Sequence, residues 1–142
     1  MKGGPKPLDQ VLASVPLFSN LSPKELSAIA KAGKQQSYEA GRTIVQERHT
    51  GVGFYFILEG QVEVRKRGKV IAKLGDGDFF GEMSLIDDQP RSADVVAVGL
   101  TKCFSLSAWS FVALVKSEPK VALGMMKELV HRLRSTDSGL AD

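Results

Sequence analysis

Short runs rich in Val, Ile, Phe and Tyr recur through the middle of the chain, at Gln36–Tyr38, Thr43–Gln46, Phe54–Leu58, Val62–Arg65, Val70–Leu74, Ala93–Val98 and Lys102–Leu106. Several alternate between apolar and polar residues, the period of a strand with one buried face. The links between them carry Glu39-Ala40-Gly41, Glu59-Gly60, Lys66-Arg67-Gly68-Lys69 and Gly75-Asp76-Gly77-Asp78, where glycine supplies the positive φ that tight connections need. Many short strands at regular spacing predict an antiparallel sandwich or barrel. The expectation is a mainly β fold with flanking helices, an antiparallel jelly-roll β-barrel with an N-terminal helix and a C-terminal helical lid.

Helical signals frame this region. Leu8 to Val15 reads as a brief helix started by Asp9, and Ser22-Pro23-Lys24-Glu25 is a capping box with proline at the first helical position. Leu26, Ile29 and Ala30 follow at helical spacing until Gly33 stops the helix. Ser107 caps a helix over Ala108–Val115, and Ser117 with Pro119 opens a longer one running to about Ser135. Its apolar residues Val121, Ala122, Met125, Met126, Leu129, Val130 and Leu133 form a stripe wider than one packing seam requires. The chain is thus expected to be a single domain over 1–142, with a helical entry at 8–33, the barrel at 34–106 and C-terminal helices at 107–135.

With 142 residues, 43% of them hydrophobic and 25% charged, the chain can bury one core without metals or disulfides. No apolar run approaches a membrane span and Met1 to Pro5 carries no signal core, so a cytoplasmic location is expected. Cys103 has no cysteine to pair with and reads as a buried structural thiol. The net charge of +3 suits an anionic ligand, yet no dense basic tract of the nucleic-acid-binding kind is present.

The stretch Phe79 to Asp94 reads as neither plain strand nor plain turn. Gly81 removes a side chain where the backbone leaves a strand, and Glu82 to Ile86 is long enough for about one helical turn, whose first N–H groups favour an anion. Arg91, set by Pro90, offers a planar fork suited to phosphate oxygens, and Ser92 adds a hydroxyl and an N–H beside it. Glu82 would repel a bare phosphate but would accept from a ribose hydroxyl. On these residues alone, an ion pair between Glu82 and Arg91 closing an ordinary loop is the alternative.

Phe80-Gly81-Glu82-Met83-Ser84-Leu85 followed by Pro90-Arg91-Ser92-Ala93 resembles the phosphate-binding cassette of the cyclic-nucleotide-binding domain family. That family includes catabolite activator proteins, regulatory subunits of cAMP-dependent kinase and cyclic-nucleotide-gated channels. The resemblance extends to Phe54–Gly60 with Val62-Glu63-Val64, to Gly75–Phe80, and to Pro16-Leu17-Phe18 with the capped helix after it. It implies that Arg91 pairs with the exocyclic phosphate oxygens, helped by the N–H groups of Ser84 and Ser92. Glu82 is implied to accept from the ribose 2′-hydroxyl alongside the Gly81 backbone, with Met83 and Ala93 completing the cassette. Val64, Ile71 and Ala72 are implied to pack around base and sugar, and Thr136 to cap the base under the closing terminal helix. Arg132 either reaches Glu82 and stabilises that closed form or lies solvated. Ser92, where guanine-selective members carry threonine, favours cAMP over cGMP.

The resemblance implies a non-enzymatic sensor that needs no cofactor beyond its nucleotide ligand. It acts through an unidentified effector protein or through a homodimer formed by the C-terminal helix. Thr136 to Asp142 leaves no room for a helix-turn-helix, so direct DNA binding by this chain is not expected. The alternatives are a regulatory piece of a larger transcription regulator or channel, and a scaffold that keeps the fold without the ligand. Catalysis finds no support: His49 and His131 lie in unrelated segments, and Ser84 is in no nucleophile elbow.

Overall fold

The computed structural model describes residues 8–46, 53–81 and 93–136. Helix α1 (Leu8–Ala13), a 3-10 turn (Pro16–Phe18) and α2 (Pro23–Ala32) precede eight strands among the described residues. These are β1 (Lys34–Tyr38), β2 (Thr43–Val45), β3 (Gly53–Glu59), β4 (Val62–Lys66), β5 (Lys69–Leu74), β6 (Phe79–Phe80), β7 (Asp94–Ala97) and β8 (Thr101–Ser107). Helices α3 (Ala108–Ser117) and α4 (Pro119–Thr136) follow. The predicted capping box is made in both halves: Glu25 N–H donates to Ser22 Oγ at 3.2 Å and Ser22 N–H donates to Glu25 Oε1 at 2.8 Å. That backbone hydrogen bond is the main reason the Glu25 carboxyl is held below its ordinary range. Ser107 caps α3, as expected, by accepting from Ser110 N–H.

The closed jelly-roll barrel expected from the strand pattern is not formed. The strands make two separate antiparallel four-stranded sheets, in the orders β1-β8-β3-β6 and β2-β7-β4-β5, and among the described residues no pairing joins one sheet to the other. Nor is the fold mainly β, because among the described residues the helices hold more residues than the strands. It is a mixed α/β arrangement of two sheets with flanking helices. Alternation along a strand reports which side chains are buried. It carries no information about whether edge strands meet, and here β1, β6, β2 and β5 all end their sheets.

Three layers result. On β3, Phe54 and Phe56 join the helices' core together with Phe104 and Leu106 of β8, while Ile57 and Cys103 join a second cluster with Val45, Val62 and Val95 of the other sheet. The first sheet is therefore covered on both faces, which is why β3 reads as an unbroken apolar run rather than an alternating one. Phe54 sits at the helix side of this junction, its ring centroid 4.7 Å from Phe56 and 4.7 Å from Phe111 of α3. Arg67 (φ 53) and Gly68 (φ 79) turn β4 into β5 with both φ values positive, the geometry of a two-residue hairpin. Strand β5 lies at the edge of its sheet with nearly every residue exposed.

Candidate functional site

The approach to the cassette is fixed by hydrogen bonds between the Gly75–Asp78 turn and its neighbours. Ile57 N–H donates to Asp78 O at 2.8 Å, and Gly77 N–H donates to Ile57 O at 2.7 Å. Asp76 Oδ1 accepts from Gly60 N–H at 2.8 Å and Asp78 Oδ2 accepts from Gly75 N–H at 2.8 Å. The two aspartates thus act as turn-forming acceptors. The turn delivers β6, whose Phe80 pairs with Tyr55 across the strands and stacks on its ring at 5.0 Å with an interplanar angle of 5°. Directly after it Gly81 adopts φ 94, a conformation that a residue with a Cβ rarely takes.

The chain leaves the first sheet at Gly81 and enters the second at Asp94, just after Ala93. On entry β7 runs beside β4, with Asp94 opposite Arg65 and Val95 opposite Val64. On the other side of β4, Val64 is the direct cross-strand partner of Ala72. Ile71 is the extra residue where the register slips between Val64 and Arg65, and it is 57% exposed. Val64 and Ala72 thus face each other in mid-strand with Ile71 beside them, and Ala93 directly precedes the β7 residues that pair with β4, while Gly81 follows β6 in the first sheet. Val64 is half-buried against the inter-sheet core, and Ala72 is exposed. Glu82, Met83, Ser84, Arg91 and Ser92 lie outside the described residues. Thr136 is the last residue of α4 rather than the first beyond it.

Arg132 reaches a partner that the sequence did not suggest. Its Nη2 donates to the carbonyl of Phe79 at 2.7 Å, and its guanidinium lies 4.4 Å from the centre of the Phe79 ring. Its Nε donates to Glu128 Oε2 at 3.1 Å, one helical turn back. The contact fastens the second half of α4 to β6, two residues before Gly81. The first half is held by buried Val121 and Met125 and by a close approach at Gly124, where a Cβ would stand 2.8 Å from Leu17 Cδ2. The sequence signal for this second contact was a glycine inside a helical pattern, which marks close packing when no turn is needed.

Cys103 is buried as expected, at 1% exposure, and burial pushes its thiol up to about 12. A thiol that stays protonated is neither a nucleophile nor a metal ligand at ordinary pH. Tyr38 is likewise pushed up to about 12, chiefly by burial and then by Tyr55 and Cys103 nearby. No group of three His, Cys, Asp or Glu among the described residues is arranged to hold a metal ion. No described helix is long and apolar enough to cross a membrane.

The cyclic nucleotide-binding domain model matches residues 35–118 of this chain. A cyclic nucleotide-gated potassium channel of Mesorhizobium japonicum is 37% identical over 123 residues, covering 87% of this chain and 34% of the channel. The cyclic AMP receptor protein of Thermus thermophilus is 33% identical over 127 residues, covering 86% of this chain and 59% of that protein. The co-crystal structure of the regulatory domain of Toxoplasma gondii PKA with cAMP superposes with a TM-score of 0.74 at 29% identity, over 85% of this chain and 48% of that one. The chain spans less than two thirds of the length of each.

Proposed function

The chain belongs to the cyclic nucleotide-binding domain family, and from that premise we propose that it is a sensor of cAMP built as one module. The observation that carries this reading is the left-handed turn at Gly81, with φ 94, at the start of the Gly81–Ala93 cassette. In this reading Arg91 grips the cyclic phosphate, the N–H groups of Ser84 and Ser92 assist, and Glu82 accepts from the ribose 2′-hydroxyl. Val64, Ile71 and Ala72 offer an apolar surface to base and sugar, and Thr136 caps the base. The similarity to a cyclic AMP receptor and to a cAMP-bound regulatory domain supports cAMP over cGMP, as does Ser92.

The cytoplasm is the compartment that fits this reading. The output is α4, handing the signal to an effector protein or a second subunit. A ligand shifts a conformational equilibrium only by its differential affinity for the two states. The Arg132 contact to Phe79 supplies a mechanical link, because cassette and helix end share the same two-residue strand.

Titration calorimetry with cAMP and cGMP on the chain and on Arg91→Ala tests the proposal. Removing a charge-assisted fork costs about 2–3 kcal/mol, or about 30- to 160-fold in Kd. Absence of heat with both nucleotides, or an unchanged Kd in the variant, refutes it.

A further inference from the structure

Glu118 sits at the break between α3 and α4, with φ −127 and ψ 81 outside the helical range. Its N–H donates to Leu114 O at 2.9 Å, closing α3, and its carbonyl accepts from Val121 N–H at 3.0 Å and Ala122 N–H at 3.3 Å, opening α4. Against this break packs α2, whose Leu26 and Ile29 share one buried core with Leu114 and Val121. Helices α2 and α3 meet unevenly. At one end Ser110 Oγ donates to Ala32 O at 3.5 Å, and between the two helices runs a groove of about 230 Å³ lined by Ile29, Ser110, Leu114 and Glu118 among others. At the other end two carboxyls meet: the side chains of Glu25 and Glu118 hydrogen-bond to each other. Both are half-buried, whereas Lys24, Ser117, Pro119 and Lys120 beside them in the chain are exposed.

Two carboxyls can hydrogen-bond only while one of them keeps a proton. Glu25 Oε1 is committed as an acceptor to Ser22 N–H at 2.8 Å, which favours its ionised form, so the proton belongs to Glu118. We propose that this pair is a proton-operated clasp between the entry helix α2 and the root of α4. With one proton present, Glu118 O–H donates to the Glu25 carboxylate and draws α2 onto the break. Once that proton leaves to solvent, two like charges face each other across the same gap and the clasp opens. The charged groups acting on the pair are the two carboxylates and Lys120 of α4, whose cation eases the repulsion. The directions of titration agree with the geometry. Glu118 is raised above its ordinary 4.5, first by burial and then by the hydrogen bond and charge of Glu25. Glu25 is lowered, first by the Ser22 backbone hydrogen bond. What Glu25 contributes is lost as pH falls through its lowered value, and what Glu118 contributes is lost as pH rises through its raised one. The pair therefore titrates in two steps, and the clasp holds between them, in a window that brackets 4.5. Acidification from neutral fastens the root of α4, whichever nucleotide the chain binds.

NMR of the Glu25 and Glu118 carboxyl carbons, followed on the full chain from neutral pH downward, tests the clasp, with amide exchange at Val121 and Ala122 read alongside. Two separate midpoints are expected, Glu118 above the ordinary glutamate value and Glu25 below it. Glu25→Gln keeps an acceptor for Ser22 N–H but removes the charge that holds the proton, so the Glu118 midpoint moves down. Lys120→Gln removes the neighbouring cation, so both midpoints move up. Corrected for the intrinsic rate, exchange at Val121 and Ala122 quickens in the unmodified chain as pH rises through the Glu118 midpoint. Glu118→Gln offers Glu25 an N–H donor that does not titrate, so its protection stays flat over that range. A Glu118 midpoint at or below the ordinary value, or one that Glu25→Gln leaves in place, overturns the proposal. A protection profile in Glu118→Gln that follows the unmodified chain overturns it too, because a purely structural contact at this site would leave the pH profile unmoved.

Discussion

Replacing Arg132 by methionine removes a guanidinium while keeping a long apolar stem over the Phe79 ring. The arginine makes a hydrogen bond of 2.7 Å to the Phe79 carbonyl, a ring contact at 4.4 Å and an ion pair at 3.1 Å to Glu128. A hydrogen bond from a charged donor contributes about 1.5–3 kcal/mol, the ring contact at a partly exposed site about 0.5–1, and the ion pair at most about 0.5. One group makes all three, so they do not add, and the net loss expected is about 2 kcal/mol. Arg132→Lys keeps the charge without the planar fork and is expected to lose about half of that. The assay is amide hydrogen exchange along α4. Protection over Glu128–Thr136 falls about 30-fold in Arg132→Met, the equivalent of about 2 kcal/mol. Protection over the first half persists, because Val121, Met125 and the Gly124–Leu17 approach are untouched. Unchanged exchange in the second half, or equal loss in both halves, refutes the assignment of Arg132 as the fastening of the helix end.

Two glycines that both lie against other atoms are expected to behave oppositely. At Gly33 (φ −129) the backbone conformation suits any residue, but a Cβ would collide with the Ser105 carbonyl, so Gly33→Ala costs about 2–3 kcal/mol in urea unfolding. At Gly124 the obstacle is only the tip of the Leu17 side chain, so Gly124→Ala lies between neutral and about 1 kcal/mol stabilising, from helix propensity. The buried thiol gives a pH dependence. Cys103 is protonated up to about 12 in the fold but titrates near 9.0 when exposed, so between these values the unfolded chain binds fewer protons and stability falls as pH rises. The slope reaches about 1.4 kcal/mol per pH unit and is absent below the lower value. Cys103→Ala flattens the profile, leaving the smaller decline that Tyr38 contributes in the same direction above its ordinary 10.0.

The residues legible from sequence were those whose signals are local. The capping box at Ser22, the cap at Ser107 and the turn at Gly81 depend on neighbours a few positions away, and each formed as expected. The strands were also local in origin, since β-branched and aromatic residues fit a pleated surface wherever the chain later places it. Their partners were not. Strand β1 pairs with β8, so Lys34 lies opposite Ser105, and nothing near either residue announces the other. Sheet closure is a property of such distant pairings, which is why a barrel was expected and two separate sheets were found. The same distance explains Arg132. Its place on a helix was readable, but the carbonyl that holds it lies 53 residues earlier. The breadth of the α4 stripe was visible from the start; its division into a buried face and an outer seam required the exposures.

Strand β5 ends its sheet with backbone groups turned outward, and its apolar stretch is only Val70-Ile71-Ala72. The register slip at Ile71 interrupts any straight ladder laid along it by a foreign strand, and Lys69 and Lys73 bracket the stretch with like charge. A second molecule approaching edge to edge brings the same lysines with it. The guard against fibril growth at this edge is therefore partly ionic: strong at low salt, and weakened once the Debye length shrinks to about 3 Å near molar salt. Acetylating the two lysines would strip that protection without disturbing a single packed side chain.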